Sequence, residues 1–293
     1  MPRVPIAYLI RAHHRPQQLA RLVDRLRTPN ARFFVHISAR TSEDTYAAMR
    51  AALGDSADIR WLPRVPTYYG GHSLVRATLV GVDAIVREQP MPGHAVLLSG
   101  QDYPLRPAAE IERYLAEQPG VTFMEHFGLP TSDHWPGENG GLDRIRGYYL
   151  ERFSYRTRLL RVPFVRRRFP AGLTPYGGSA WWALAADALV ELDRFVKANP
   201  SVLDFFRHVK MPDEILVQSV LMSSRLADSV VNEQIHLVEW PEGAHPATFT
   251  AADLERLLDS GKLFARKFDL HVDSEILDLI DREALGVTTG AAA

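Results

Sequence analysis

Apolar runs and amphipathic stretches alternate through the first 125 residues of the chain. Short runs such as AVLL at residues 95–98 and RFFVHI at 32–37 are typical of buried strands, and between them apolar residues recur at helical spacing. The pattern predicts strands at residues 4–10, 32–37, 59–62, 94–98 and 121–125, and helices at 16–27, 42–53, 73–88 and 107–118. Such alternation favours an α/β fold with a mostly parallel central sheet covered on both faces.

The alternation stops between residues 128 and 177 and resumes at 178. The later region predicts a strand at 178–184, helical segments at 186–198 and 203–208, a helix that begins at Pro212, and a strand at 236–240. Thr250 is predicted to cap a helix at 251–260 and Ser274 a last helix at 275–283, with residues 262–269 forming a loop or short turn. We expect one domain over residues 1–285 and a disordered tail at 286–293.

Composition excludes several classes of function. The chain has 293 residues, 46% of them hydrophobic, and a net charge of -1, so charge does not predict a nucleic-acid partner. The absence of cysteine excludes a disulfide framework, a thiolate zinc site and a cysteine nucleophile. No stretch reaches the roughly 18 apolar residues that a membrane span needs, and the amino-terminal apolar run is too short for a signal peptide. We therefore expect a soluble, cytoplasmic protein, with any membrane contact peripheral and at the inner face.

The segment SGQDYPL, residues 99–105, is the most informative in the chain. It places Asp102 and Tyr103 on a loop after a predicted buried strand. Ligands of open α/β sheets bind at the carboxyl ends of strands, so these side chains are candidates for a binding site. The alternative is a simple connection in which Asp102 caps the helix that follows Pro107.

Two charged segments are further candidates. In MPDE, Asp213 and Glu214 fall in the first turn of a predicted helix, where acids are favoured by the helix dipole and where a glutamate can also serve as a general base. In LFARKFD, Arg266 and Lys267 lie between phenylalanines and are predicted either to clamp a diphosphate or to belong to an anchored surface loop.

Aromatic and basic residues extend the candidate chemistry. Trp181 and Trp182 are neighbours on a predicted strand, so one should be in the core while the other is free to stack on a sugar ring. Residues 144–168 contain nine arginines and one glutamate. This segment is either a solvated insertion held by its aromatic residues or a surface that faces a substrate or a membrane. The eleven histidines show no metal-ligand spacing, so no catalytic metal is expected.

Seven motifs in this order resemble one family. YLIRAHH, FVHISAR, YGGHSLVRATL, LLSGQDYPL, GGSAWWAL, MPDEILVQSVL and LFARKFD span about residues 6–269. The sequence is similar to the core-2/I-branching β-1,6-N-acetylglucosaminyltransferases and the peptide O-xylosyltransferases. The resemblance implies a GT-A type fold, a Rossmann-like α/β/α sandwich that binds a UDP-sugar, and an inverting mechanism without a divalent metal. It also implies a nucleotide-binding half at 1–127, a basic insertion at 128–177 and an acceptor and catalytic half at 178–285.

The resemblance assigns roles to residues of this chain. Glu214 matches the family's base and Lys267 its diphosphate-binding lysine, and Arg266 beside it is expected to help. Asp102, His13 and Ser38 are expected near the donor. The acceptor, a glycan or glycoconjugate such as a polysaccharide intermediate, is expected to meet the side chains of Asp213, Tyr103, Trp181 and Trp182.

The chain also departs from the family pattern. Ser38 stands where the family usually has an aspartate on the second strand, and residues 243–249, GAHPATF, lack the arginine of the core-2 branch. These departures leave UDP-xylose open beside the favoured donor, UDP-GlcNAc, with UDP-glucuronate a further possibility within the family. They also leave open a catalytically degenerate protein that only binds a carbohydrate or nucleotide.

Overall fold

The apolar run near the amino terminus forms an interior strand of a seven-stranded sheet. A computed structural model describes residues 5–135, 139–151, 159–241 and 246–287. The strands of the described chain are β1 Ile6–Ala12, β2 Ala31–Ile37, β3 Ile59–Trp61, β4 His94–Ser99, β5 Asp102–Pro104, β6 Thr122–Met124, β7 Phe127–Gly128, β8 Tyr148–Leu150, β9 Leu160–Val162, β10 Tyr176–Gly177, β11 Trp182–Ala185, β12 Val230–Val231, β13 His236–Val238 and β14 Phe264–Arg266.

Helices follow most of these strands, as the periodicity predicts. Their bounds are α1 Pro16–Leu26, α2 Glu43–Leu53, α3 His72–Val86, α4 Ala108–Ala116, α5 Leu142–Arg146, α6 Ala186–Ala198, α7 Pro200–Phe206, α8 Leu216–Met222, α9 Leu254–Asp259 and α10 Ile276–Glu283. Three 3-10 turns cover Pro212–Glu214, Ala227–Ser229 and Ala251–Asp253.

The central sheet has the strand order β12-β6-β11-β4-β1-β2-β3. All neighbouring pairs are parallel except those of β11, which runs antiparallel to both β4 and β6. Strands from both predicted halves of the chain therefore share one sheet. The α/β class and the mostly parallel sheet are as predicted.

Side chains of β1 alternate between two cores. Tyr8 and Ile10 belong to a core on one face, which includes buried residues of α1, α2, α4 and α10. Ala7 and Leu9 belong to a core on the other face, with residues of α3, α6, α7 and α8. Because successive strand residues point to opposite faces, a continuous apolar run is what a strand covered on both sides requires. The result is a Rossmann-like α/β/α sandwich.

Several local predictions are wrong. Residues 262–269 and 102–104 were expected to be loops, but they contain β14 and β5, which pair antiparallel with Arg266 opposite Asp102. Together with β13 these strands form a separate three-stranded sheet. Pairing requires a partner distant in the chain, so neither short segment shows its strand character by periodicity alone.

Two predicted helix starts also differ. The PDE segment forms a 3-10 turn, and the following α-helix starts only at Leu216. The last helix begins at Ile276, and its first backbone N–H groups donate to Asp273, not to Ser274. The predicted cap of Thr250 is confirmed by a capping box with Asp253. Of the predicted disordered tail, residues 288–293 lie outside the described residues.

Candidate active site

A cleft of about 540 Å³ lies at the carboxyl ends of β1 and β4. These strands are neighbours at the point where the chain, having added β2 and β3 on one side of β1, returns to the other side. Open α/β sheets bind ligands at such a point because the connecting loops diverge there. The walls come largely from five segments at residues 11–14, 99–101, 178–181, 213–214 and 266–267.

Glu214 is held on the cleft wall by its backbone. It ends the 3-10 turn Pro212–Glu214, which follows Met211 in the left-handed region at φ 53°. The Gly178 N–H donates to the Glu214 carbonyl at 3.0 Å. A Cβ on Gly178 would lie 1.9 Å from the carbonyl oxygen of Glu125, so only glycine allows this close approach. The backbone of Glu214 is thus fixed against the segment at Gly178.

The carboxyl group of Glu214 is poised near neutral pH. Burial raises its pKa to about 7, with a further increase from the neighbouring Asp213, while Arg144 acts in the opposite direction. The Arg144 Nη1 donates to Glu214 Oε2 at 2.5 Å. Burial also raises the pKa of Asp213, whose Oδ1 has no hydrogen-bond partner among the described residues. A carboxylate in this state can accept a proton from a hydroxyl group.

Arg144 was not predicted as a site residue. It lies on α5 within the arginine-rich segment, and its guanidinium stacks on Trp135 at 3.6 Å from the ring centroid. The sequence showed an excess of arginines there but not which of them pairs with Glu214. Arg167, in the same segment, instead donates to the backbone carbonyls of Gly147, Phe205 and His208. Residues 152–158 of the segment lie outside the described residues.

Asp102 and Arg266 form a buried ion pair. The Arg266 Nε donates to Asp102 Oδ1 at 2.8 Å, and the other carboxylate oxygen accepts from the Ser99 N–H. Asp102 is fully buried and does not line the cleft, so the expected direct contact with the donor does not fit its position. Its carboxylate orients Arg266 instead. The alternative helix-cap role is not seen either, because both oxygens are engaged elsewhere.

A wall of cations faces the cleft beside Trp181. The Arg266 guanidinium lies 4.2 Å and that of Arg11 5.3 Å from the Trp181 ring centroid. Lys267 also lines the cleft, and within the described chain it forms no ion pair. Its backbone is held by Ala247 and Phe249. Positive groups fixed on a wall in this way are suited to a phosphate-bearing ligand.

The two tryptophans separate as the strand geometry predicts. Trp181 lines the cleft, while Trp182 is 1% exposed and belongs to the core on the α3 and α6 face. The buried position of Trp182 does not fit the expected contact with an acceptor. Tyr103 does not fit that contact either, because it is fully buried and donates its hydroxyl to Asp281 at 2.6 Å while accepting from Arg21.

His13 lines the cleft as expected near the end of β1, but Ser38 does not. The Ser38 side chain is buried, and its hydroxyl accepts from the backbone N–H groups of Arg40 and Thr67. The second strand contributes His36 to the cleft instead. Burial lowers the pKa of both His13 and His36 to about 4, so each is neutral at pH 7. The motif FVHISAR contains both residues, but only Ser38 was assigned to the site from it.

The described part of the chain contains neither a metal-ligand cluster nor a membrane-spanning helix. Within residues 5–135, 139–151, 159–241 and 246–287, no three His, Asp or Glu side chains gather closely enough to hold a metal ion. Over the same ranges, every helix is too short or too polar to cross a bilayer.

Comparisons with known proteins give one consistent result. A family model described as "Core-2/I-Branching enzyme" matches residues 6–258. The chain is similar to xylosyltransferase 2 of Homo sapiens, with 28% identity over 97% of this chain and 34% of the relative. It is also similar to xylosyltransferase oxt of Drosophila melanogaster, with 25% identity over 99% of this chain and 35% of the relative. The chain thus spans about a third of the length of these relatives.

One solved structure resembles the chain only weakly. It is 4-diphosphocytidyl-2C-methyl-D-erythritol synthase from Anaerococcus prevotii, with a TM-score of 0.33 and 11% identity over 70% of this chain and 83% of that one. The fold is therefore defined by the strand order and packing of the chain itself.

Proposed function

The chain belongs to the Core-2/I-branching enzyme family, and on that premise we propose that it is an inverting glycosyltransferase that moves a sugar from a UDP-sugar to a hydroxyl group of a glycan or glycoconjugate. The observation that carries the proposal is that Glu214 and Lys267 line one cleft. A direct displacement needs a base for the attacking hydroxyl and positive charge for the leaving group, and these residues supply the two.

Glu214 is proposed as the base. As the acceptor oxygen attacks the anomeric carbon, its proton passes to the Glu214 carboxylate and the bond from that carbon to the UDP oxygen breaks. The electron pair of the broken bond leaves with the diphosphate, and a single displacement inverts the anomeric centre. A pKa of about 7, raised by burial, leaves about half of the groups ionised at neutral pH yet basic enough to take the proton.

Lys267 and Arg266 are proposed to receive the diphosphate. Lys267 lines the cleft and has no ion-pair partner among the described residues, so an anionic ligand meets an uncommitted cation. Arg266 is held against Trp181 by the buried Asp102 and so presents its guanidinium in a fixed orientation. Such preorganised cations stabilise charge that develops on a leaving group, and we propose that they do so here without a divalent metal.

The donor is proposed from similarity. The two relatives above are named xylosyltransferases, and this similarity supports UDP-xylose as the first candidate for the donor. UDP-GlcNAc, favoured by the sequence analysis, is the second candidate because the matching family model is described by the core-2 and I-branching enzymes. Trp181, exposed to the same cleft, offers a ring face for stacking on a sugar.

Calorimetric titration with UDP-xylose, UDP-GlcNAc and UDP-glucuronate in the presence of EDTA tests the proposal, followed by measurement of UDP release. We expect one donor to bind and to be hydrolysed slowly without metal. Glu214→Gln should keep donor affinity within about twofold and lower turnover by a factor on the order of 100 or more. Lys267→Ala should weaken binding about tenfold or more.

The matched controls are Glu125→Gln, a carboxylate on the same cleft, and Lys262→Ala, a lysine outside it. Loss of turnover in Glu125→Gln but not in Glu214→Gln would assign the base to Glu125. Equal binding by the two lysine variants would contradict the diphosphate role of Lys267. Activity lost with EDTA and restored by manganese would contradict metal independence, and no binding of any UDP-sugar would favour the degenerate, non-catalytic alternative.

A further inference from the structure

Exposed apolar side chains concentrate on one hairpin. Of the nine large hydrophobic residues that are exposed in the described chain, four belong to the β8–β9 hairpin and the turn after it: Leu150, Leu160, Phe164 and Val165. Phe164 is fully exposed. Apolar side chains exposed close together in this way are typical of a surface that makes a contact outside the chain.

The geometry of the hairpin places two of these side chains together. Leu150 and Leu160 are directly opposite each other in the antiparallel register of β8 and β9, so they lie side by side on one face. Phe164 and Val165 follow within five residues. We call these four residues, together with the exposed Arg161, Arg166 and Arg168, the hairpin surface.

The base of the hairpin is anchored to the body of the protein. Tyr149 is buried, and its N–H donates to the His208 carbonyl at 3.0 Å. Arg167 stacks on Phe205 at 4.0 Å from the ring centroid and donates to the Phe205 carbonyl at 2.7 Å. The apolar side chains are therefore presented by a fixed support, which lowers the entropic cost of a contact.

Positive charge surrounds the apolar cluster. Residues 159–168 contain four arginines and no acidic residue, in a chain whose net charge is -1. Arg167 points inward, as shown above. Arg161, Arg166 and Arg168 are exposed and form no ion pair with any described residue. The hairpin surface thus combines four apolar side chains with three uncommitted guanidinium groups.

We propose that the hairpin surface binds the anionic face of a lipid bilayer. Apolar side chains insert at the boundary between headgroups and acyl chains, while arginines bind lipid phosphates and are attracted by the negative surface potential. The charge pattern favours a bilayer over an apolar groove of another protein. Such a groove would bind the apolar side chains but would leave the three arginines without anionic partners. This contact is independent of the proposed transferase activity.

The hairpin surface lies close to the cleft. Glu151, directly after β8, accepts a hydrogen bond from the Ser73 hydroxyl at 2.5 Å, and Ser73 also accepts from the Tyr68 N–H. Tyr69, next in the chain, lines the cleft. A membrane-bound hairpin therefore holds the cleft near the lipid surface, where, on the proposed function, an acceptor linked to lipid is within reach.

Vesicle co-sedimentation tests the proposal. The intact protein should sediment with vesicles of phosphatidylcholine mixed with phosphatidylglycerol and remain in solution with phosphatidylcholine alone. Phe164→Ser should weaken binding to the mixed vesicles about tenfold. Replacing Arg161 and Arg166 together by glutamine should weaken it about 25-fold. Val272→Ser, which changes an exposed valine elsewhere, is the matched control and should bind as the parent does.

Three outcomes overturn the proposal. One is equal sedimentation with neutral and mixed vesicles, and another is unchanged binding by Phe164→Ser. The third is a dimer in sedimentation velocity that Phe164→Ser converts to monomer while no vesicle binding occurs, which would assign the surface to a second copy of the chain. Because Phe164 is fully exposed, the variant should keep the parent thermal transition, and this is checked first.

Discussion

Replacing Arg144 by glutamine provides a direct test of how the cleft sets the ionisation of Glu214. The Arg144 Nη1 lies 2.5 Å from Glu214 Oε2, and the side chains are 19% and 17% exposed, so solvent screens the pair only partly. A nearby cation favours the charged form of a carboxyl group. Loss of that cation therefore raises the pKa of Glu214 above its value of about 7.

The size of the change follows from the geometry. Two unit charges about 4 Å apart interact by about 4 kcal/mol at an effective dielectric constant of about 20. An opposite charge at this range typically moves a carboxyl pKa by about 1–3 pH units. At pH 7 the ionised fraction of Glu214 then falls from about one half to about one tenth or less. Turnover at pH 7 should therefore fall about fivefold if the pKa rises by about 1 unit, and about 500-fold if it rises by about 3 units.

The assay is the pH dependence of kcat/KM for UDP-sugar consumption with the acceptor that supports turnover. In Arg144→Gln the acid limb should move upward by about 1–3 pH units, and activity should recover as pH rises. Arg146→Gln is the matched control, because Arg146 lies on the same helix but is exposed. An acid limb that stays in place, or moves to lower pH, refutes the assignment of Glu214 as a base controlled by Arg144.

Three further outcomes are expected. Asp102→Asn should lower UDP affinity about tenfold, since Arg266 loses its anchor, while the acid limb of the pH profile stays in place; unchanged affinity would contradict the orienting role. Tyr103→Phe should cost about 1–3 kcal/mol in urea unfolding through the lost hydrogen bond to Asp281 and leave turnover unaltered, whereas lost turnover with intact stability would restore a direct role. Burial lowers the pKa of His236 to about 3 in the folded protein, whereas in the unfolded chain the pKa is about 6.5. As pH falls below about 6.5 the unfolded chain therefore binds a proton that the folded protein does not, and stability decreases. Between about pH 7.5 and about pH 5, the free energy of unfolding in urea should therefore fall by about 2 kcal/mol less in His236→Leu than in the parent protein. An equal fall in both proteins would show that His236 is not the group responsible.

The local sequence pattern predicted those elements whose stabilising features lie within a short stretch of the chain. Apart from β5, the strands and helices of the first 125 residues were predicted correctly, because an apolar run covered on both faces and a helix with one apolar face are visible in the order of residues. The same applies to the Thr250 cap, whose partner Asp253 is three residues away. The candidates Glu214 and Lys267 were also found from local motifs, and both line the cleft.

Where a contact joins distant segments, the local pattern predicted the wrong structure or gave no prediction. β5 and β14 looked like loops because they become strands only by pairing with distant segments: β5 pairs with β14, 164 residues away at Asp102 and Arg266, and β14 also pairs with β13. Tyr103 was placed with the acceptor although Asp281, near the end of the chain, buries its hydroxyl.

The sequence by itself determined the class of fold, the family resemblance and the residue types able to carry out a sugar transfer, because these depend on periodicity and on short motifs. Only the tertiary structure decided which of those residues face the cleft. It turned Trp182 and Asp102 inward, replaced Ser38 by His36 at the cleft, and brought Arg144 to Glu214 from 70 residues away. The physical reason is that burial and electrostatic environment arise from packing between elements, which no local stretch of sequence contains.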